Sequence, residues 1–535
     1  MTCDNKKWIG QIFLIGVLFV VFLTAGCTSH SEVKNTKEVG ITTPAVSLEN
    51  QVLKVGDLWG TNTLDPAKRG TLIKEEAMVV ENLIEVGPNF TLKPGLATSW
   101  KRLDNTTWKI QLRKGVLFQD GSLMTSKEVV WSLQRALKLN PTTASVTNIK
   151  EVKEDGTYSL LITTDGPDAA LPAALAYPKL AIVSPNSKMT KSGTIIEPIG
   201  TGPFMYKAFD STTGQLTVVR NKNYWGKKPK LDEIIIKYIP DPSTRFMSIL
   251  KGDIDFTTGV PYGDVKLLQN TKGVHIIIRP KARIYWLAFG SLKGTPYQDK
   301  GVRQAISYAI NRKGIAEYAL NGVASPAKGF FLPTMPWANK SIKGYSYDPQ
   351  KAGNLLEEAG WKLNSQGIRE KDGKIFSATL YTYPQRPGLK PIAEAIQSEL
   401  KAVGIKVDVR VMDFSAIKEA EGPDDMSLSS FSMTTLPYPG YFLRKTFGSR
   451  GAYNTWGYSN PEVDSLLAEG LSTFDKEKRQ KIYDRVQEIV TDEVPVIPVV
   501  YYSTTVVMRD YVKGFVFNPA VIYMLNPGMY IQGRK

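Results

Sequence analysis

Apolar and polar positions are unevenly spread along this chain, and their pattern first marks the N-terminus. Lys6 and Lys7 precede an almost unbroken apolar run over residues 8–23, interrupted only by Gln11, and the small residues Ala25 and Gly26 follow. A charged start, an apolar middle and a small-residue end are the parts of a secretory signal, and the run is shorter than the about 20 residues of a membrane span. Residues 28–50 are polar, lack aromatic side chains and show no period, which predicts a flexible tether. Beyond the tether, strand and helix periods alternate. Trp108, Ile110 and Leu112 alternate with Lys109, Gln111 and Arg113, the period of a half-buried strand. Thr125 and Glu128 form a capping box ahead of a helix whose apolar face holds Val129, Leu133 and Ala136. Asp348-Pro349 supplies an N-cap and a first-turn proline, and Gly360 stops that helix behind Leu355, Leu356 and Ala359. A further helix is predicted over residues 393–403 and is ended by Gly404. Ile405, Val407, Val409 and Val411 then alternate as a strand. Such alternation predicts an α/β body.

Composition narrows the function classes. With 535 residues, 42% apolar and 22% charged, the chain is globular and long enough for more than one domain. The net charge of +16 favours anionic surroundings such as lipid headgroups or cell-wall polymers. Its lysines are scattered, and no compact basic run, zinc finger or helix-turn-helix signature accompanies them, so nucleic acid is not an expected partner. Cys3 belongs to the signal, which leaves Cys27 alone and rules out a disulfide framework. There is no GxxxxGK[ST] loop, HExxH helix or GxSxG elbow. The two histidines, His30 and His275, do not have metal-pair spacing. Asp253/Asp255 and Asp424/Asp425 read as solvated turns. No enzymatic activity, resident metal or cofactor is expected.

Thr24-Ala25-Gly26-Cys27 resembles the lipobox of bacterial lipoproteins, which implies cleavage of residues 1–26 and acylation of the Cys27 thiol. Residues 27–50 would then tether the body to the outer face of a cell membrane. Further blocks follow in order. They include Leu112-Arg113-x-Gly115-Val116-x-Phe118-x-Asp120-Gly121, Gly200-Thr201-Gly202-Pro203-Phe204 and Asn221-x-Asn223-Tyr224-Trp225-Gly226. Later come Val302-Arg303-Gln304-Ala305-Ile306 and Tyr347-Asp348-Pro349 with Ala359-Gly360-Trp361. Together these resemble the family 5 solute-binding proteins of bacterial ABC importers, the peptide- and nickel-binding group. The resemblance implies an α/β, two-lobed, periplasmic-binding-protein-like fold (type II, large peptide-binding class) with a hinge between its lobes. Lobe I would comprise residues 51–287 and 498–535, lobe II residues 288–497, with chain crossings near 286–290 and 497–501. It implies capture of peptides or peptide-like solutes by a monomer that hands them to permeases and their ATPases. A nickel–chelator receptor is the alternative cargo reading, and a surface adhesin or chaperone is an alternative of another class.

The ligand side departs from the peptide-binding pattern. Relatives of that branch carry an aspartate for the ligand's amino group, within a pattern like Trp-x-x-Asp-Tyr-Pro-Asp-Pro. Here Thr434-Thr435-Leu436-Pro437-Tyr438-Pro439-Gly440 stands in its place, with Pro437 at the aspartate position. Pro437-Tyr438 is similar to the nickel branch, but Tyr177-Pro178-Lys179 offers a lysine where that branch has arginine, and residues 453–458 hold no histidine. Arg69, after Leu64-Asp65-Pro66, is a candidate fork for a ligand carboxylate. Lys179, Tyr285, Trp286, Thr434, Thr435, Tyr438, Tyr441, Tyr501 and Tyr502 complete the expected cleft. Trp100, Trp108, Trp225 and Trp361 are expected as packing anchors, and Gly115, Gly121 and Gly202 as turn glycines.

Overall fold

Trp108, Ile110 and Leu112 are buried on one face of the strand Thr107–Leu112, while Lys109 points to solvent. The computed structural model describes residues 51–534 except Arg69, so the signal, the tether and Cys27 lie outside the described residues. Thr107–Leu112 joins Ala97–Arg102, Ser159–Thr164 and Ile149–Glu154 in a four-stranded antiparallel sheet. The helix Ser126–Leu139 accompanies it, opened by the expected Thr125/Glu128 capping box and burying Val129, Leu133 and Ala136. Each large apolar side chain buried this way contributes about 1.5–3 kcal/mol.

The main sheet has 11 strands. One half contains Phe204–Asp210, Gln215–Arg220, Glu233–Tyr238, Val52–Asp57 and Phe256–Thr258; the other contains Met426–Ser432, Ser377–Thr382 and Lys406–Val411. Ser377–Thr382 and Lys406–Val411 run parallel and therefore need a crossover, which the helix Leu389–Ala402 provides. This helix starts four residues ahead of the expected position, because Pro391 falls in its first turn, where a missing N–H breaks no helical bond.

Two long strands, Val274–Phe289 and Val496–Arg509, lie between the halves and belong to both. Their pairing changes register twice, between Pro280 and Ile284 and again between Tyr285 and Trp286. Residues 274–280 pair with 503–509, and residues 284–288 pair with 496–501. Phe256–Thr258 flanks the first stretch and Met426–Ser432 the second. An irregularity of this kind bends a strand and re-aims its side chains. Lys281, Arg283 and Tyr502 lie within the first of these irregularities. Among the described residues, no helix is long and apolar enough to cross a membrane.

Gly115 and Gly121 have the positive φ of turn glycines. Gly202 does not: a Cβ there would stand 2.2 Å from the Met78 carbonyl oxygen, so close backbone approach, not turn geometry, requires glycine.

Candidate functional site

Where the two halves of the sheet meet, a cavity of about 100 Å³ is lined by Trp59, Glu75, Glu76, Lys281, Arg283, Arg386 and Tyr502, among others. Each comes from the end or the irregular part of an element. Asp57 closes the strand Val52–Asp57 and turns the chain by accepting from the N–H groups of Leu58 (2.7 Å) and Trp59 (3.2 Å). Glu75 and Glu76 end the short helix Leu72–Glu75. Lys281 and Arg283 flank Ala282 in the first register shift of Val274–Phe289. Arg386 comes from the loop after Ser377–Thr382. Gly388 lets that loop lie against the Tyr262 and Tyr285 rings, which a Cβ would meet at 3.0 and 3.2 Å.

The charges in this cavity are poorly neutralised. Among the described residues, Lys281, Arg283 and Arg386 form no ion pair with Asp57, Glu75 or Glu76. Lys281 donates to the Tyr523 carbonyl at 3.1 Å, and Arg283 to the Ser430 carbonyl at 3.1 Å. Arg386 makes one long contact, 3.5 Å to the Tyr502 hydroxyl, and its Nε is buried without a partner. Its guanidinium lies 5.6 Å from the Trp59 ring and 5.4 Å from the Tyr502 ring. Burial, reinforced by Arg283 and Arg386, pulls the Lys281 ammonium down to about 8, and burial with Arg386 brings Arg283 to about 10. On the acid side, burial pushes Asp57 up to about 6 and raises Glu75. Glu76 is raised well above the carboxylate range by burial and then by Asp57, so it is the partner that keeps the proton. Burial thus works against the charge of the acids, while three cations line the same cavity.

A second group of side chains continues from Glu75, whose charge acts on Tyr177. The Tyr177 and Tyr441 rings are 6.3 Å apart, and Lys445 lies 4.9 Å from the Tyr441 ring and 4.8 Å from the Tyr453 ring. Burial, with Lys179 and Arg444, lowers Lys445 to about 8. Asp168, which lines a small cavity together with Tyr441 and Arg444, is itself pushed up to about 6 by burial.

The residues singled out in the sequence are distributed between cavity and core. Tyr502 lines the cavity. Tyr285 stands behind it, edge-on to Tyr502 at 5.6 Å and 3.3 Å from the Tyr262 hydroxyl. Tyr441 and Lys179 belong to the second group, Lys179 lying 6.0 Å from the Tyr177 ring. Trp286 points to the other face of its strand and stacks on Phe431 at 4.3 Å. Tyr501 accepts from the Gly329 N–H, away from the cavity, and Tyr438 is occupied by the Gly470 carbonyl and the Tyr483 hydroxyl. Thr434 is buried, its hydroxyl accepting from Val521 N–H at 3.4 Å; Thr435 is half-buried beside it. Arg69 and Cys27 lie outside the described residues. Sequence reasoning did not nominate Trp59, Glu75, Glu76, Lys281, Arg283 or Arg386. The available signal was Lys281-Ala282-Arg283, two charges inside a strand that is otherwise largely apolar towards Phe289.

Comparison with known proteins agrees with this architecture. The glutathione-binding protein GsiB of Salmonella choleraesuis is 29% identical over 89% of this chain and 93% of its own length. The nickel-binding periplasmic protein of Escherichia coli is 30% identical over 83% of this chain and 87% of its own. The oligopeptide-binding protein AppA of Bacillus subtilis, solved with a nonapeptide, superposes with a TM-score of 0.77 at 26% identity, covering 90% of this chain and all of that one. These are two-lobed, mixed α/β binding proteins of transporters, and members of the family are extracellular or periplasmic. Residues 91–454 match the bacterial extracellular solute-binding proteins, family 5, and the chain belongs to that family, as a substrate-binding protein of an ABC importer.

Proposed function

We propose that the chain is a lipid-anchored receptor whose cargo is a small, peptide-like solute carrying at least one carboxylate, held between the lobes. The carrying observation is the cavity at the strand crossing, where Lys281, Arg283 and Arg386 face inward without ion-pair partners among the described residues. A buried unpaired guanidinium is costly, and an incoming carboxylate meets it with a bidentate fork. Glu75, which lines the same cavity, suits a ligand amino group, taking the part that Pro437 leaves open. Lobe I, residues 51–287 and 498–535, would close on lobe II, residues 288–497, by bending at the first register shift, with cargo contacts stabilising the closed form. Cys27 would hold this trap, as a monomer, beside its permeases and their ATPases. An adhesin or chaperone role would leave such an inward-facing charge set without a purpose.

A second reading shares the same groups. The small cavity favours a compact ligand, and a nickel ion wrapped in a carboxylate-bearing chelator, which supplies the metal's own ligands, would meet the same three cations. Native mass spectrometry of the freshly purified chain separates the two. A single bound organic mass is expected for the first reading, and the nickel isotope pattern for the second. No bound mass, with no saturable uptake from di- and tripeptide mixtures or from nickel–amino-acid mixtures, would remove both.

A further inference from the structure

Residues 521–525 border two cavities. Val521 and Met524 line the interlobe cavity, whereas Tyr523 and Leu525 line another, of about 360 Å³, that none of the cargo arguments uses. Its walls are mostly apolar and aromatic, formed by Met78, Val516, Phe517, Tyr224, Trp225 and Tyr523, and Glu75 borders both cavities. Glu81 is set among them, half-buried. Its carboxylate accepts from three neutral donors: the Tyr224 hydroxyl at 2.7 Å, the Trp225 indole N–H at 2.9 Å and the Thr201 hydroxyl at 2.8 Å. Among the described residues no cation pairs with it, and burial raises its pKa. The nearby cations are committed elsewhere. Lys74 pairs with Glu85 at 2.6 Å, and the Arg113 guanidinium donates to the Gly95 carbonyl and lies 4.4 Å from the Trp225 ring. Tyr523 completes the set by donating to Glu85.

The three neutral donors favour the ionised carboxylate while burial opposes it, and a cation arriving beside Glu81 would tip that balance towards the charged form. Aromatic faces attract cations in the same surroundings. The volume is within the range of small-molecule sites. We propose that this cavity, which adjoins the cargo cleft at Glu75, is a second binding site for a small organic cation with an apolar body, whose ammonium group is drawn to Glu81. The inference does not depend on which cargo the cleft takes.

The two cavities carry separate reporters, since Met78 lines this one and Met524 the interlobe one. The test is a titration of the full chain, carrying ¹³C-methyl methionine, with phenethylammonium chloride. The Met78 methyl resonance should shift saturably while Met524 stays in place. 2-Phenylethanol, with the same body and no charge, should bind about tenfold more weakly. Glu81→Gln should weaken the ammonium about tenfold and leave the alcohol unchanged. Val516 is exposed at the rim, so Val516→Trp should close the mouth and abolish the Met78 response without disturbing the donors to Glu81. The site is overturned by a Met78 resonance that stays still up to about 20 mM, far weaker than any specific site. Equal responses to the ammonium and the alcohol, or movement of Met524 alone, overturn it as well.

Discussion

Arg312 and Arg386 are both buried arginines, 5% and 9% exposed, yet their guanidinium groups meet opposite conditions. Arg312 is saturated: it donates to the Pro498 carbonyl at 2.7 Å, the Ser307 carbonyl at 2.8 Å and the Ser307 hydroxyl at 2.8 Å. Arg386 has one 3.5 Å contact, an unpartnered Nε and two aromatic faces. Arg245 repeats the first condition, with carbonyls of Thr258, Ile239, Pro240 and Gly259 around it. Burial alone therefore does not separate scaffold from site in this protein; hydrogen-bond saturation does. A saturated guanidinium ties together backbone that would otherwise be unsatisfied, whereas an unsaturated one beside a cavity keeps its capacity for a ligand.

The largest expected effect tests the scaffold side. Arg312→Ala leaves three buried acceptors without a donor and should cost about 3–5 kcal/mol of unfolding free energy in a denaturant titration. The fraction that remains folded should bind cargo as before. Arg386→Ala is the reverse case. It should weaken a carboxylate-bearing cargo about 100-fold by calorimetry, while unfolding moves by less than about 1 kcal/mol or shifts towards greater stability. If Arg386→Ala unfolded the chain and left affinity intact, the distinction between the two arginines would collapse.

Asp168 extends the comparison to acids. It is 2% exposed and accepts from the Ala170 N–H at 2.6 Å, and burial pushes it from 3.8 to about 6. Because its pKa in the folded chain is the higher one, the folded state binds the proton more tightly than the unfolded state. Its contribution is complete below about pH 4, is lost as pH rises through about 6, and stays lost above that. Asp168→Asn keeps an acceptor for Ala170 and removes the charge. The variant should gain about 2–3 kcal/mol above pH 6 and lose that pH dependence, read from unfolding curves across pH 4–8. A wild-type stability that rose between pH 4 and 6 at this residue's expense would contradict the assignment.

What could be read from the sequence was local. Thr125 with Glu128 and Asp348 with Pro349 act over one helical turn, and the structure shows both helices starting there. Gly202 was legible as glycine but not for its reason, since the carbonyls it avoids belong to Met78 and Val79, far back in the chain. The cleft is assembled from distant pieces. Glu75, Lys281 and Arg386 meet only because two long strands cross between the halves of the sheet, and Gln385-Arg386-Pro387-Gly388 reads locally as an ordinary turn. Adjacent aromatics in a strand are also divided by its period of two. Tyr285 faces the tyrosine cluster while Trp286 stacks in the core, and Tyr502 lines the cavity while Tyr501 bonds to Gly329.

That division allows the finest test, because Tyr501 and Tyr502 are neighbours of the same type on opposite faces. Tyr502→Phe removes a hydroxyl whose partner in the described structure is Arg386, at a distance too long for a strong bond. Its ring, edge-on to Tyr285, is kept, so packing is preserved. The expected change in cargo affinity is about two- to fivefold, the scale of one weak hydrogen bond, with unfolding nearly unmoved. Tyr501→Phe removes the acceptor for the Gly329 N–H at 3.2 Å and leaves a buried donor unsatisfied. It should cost about 1–2 kcal/mol of stability and leave affinity alone. Paired calorimetry and unfolding on the two variants therefore read the same chemical deletion in two ways. If Tyr501→Phe were the variant that lost affinity, the cavity would not be the cargo site, and saturation would no longer distinguish ligand-facing groups from structural ones.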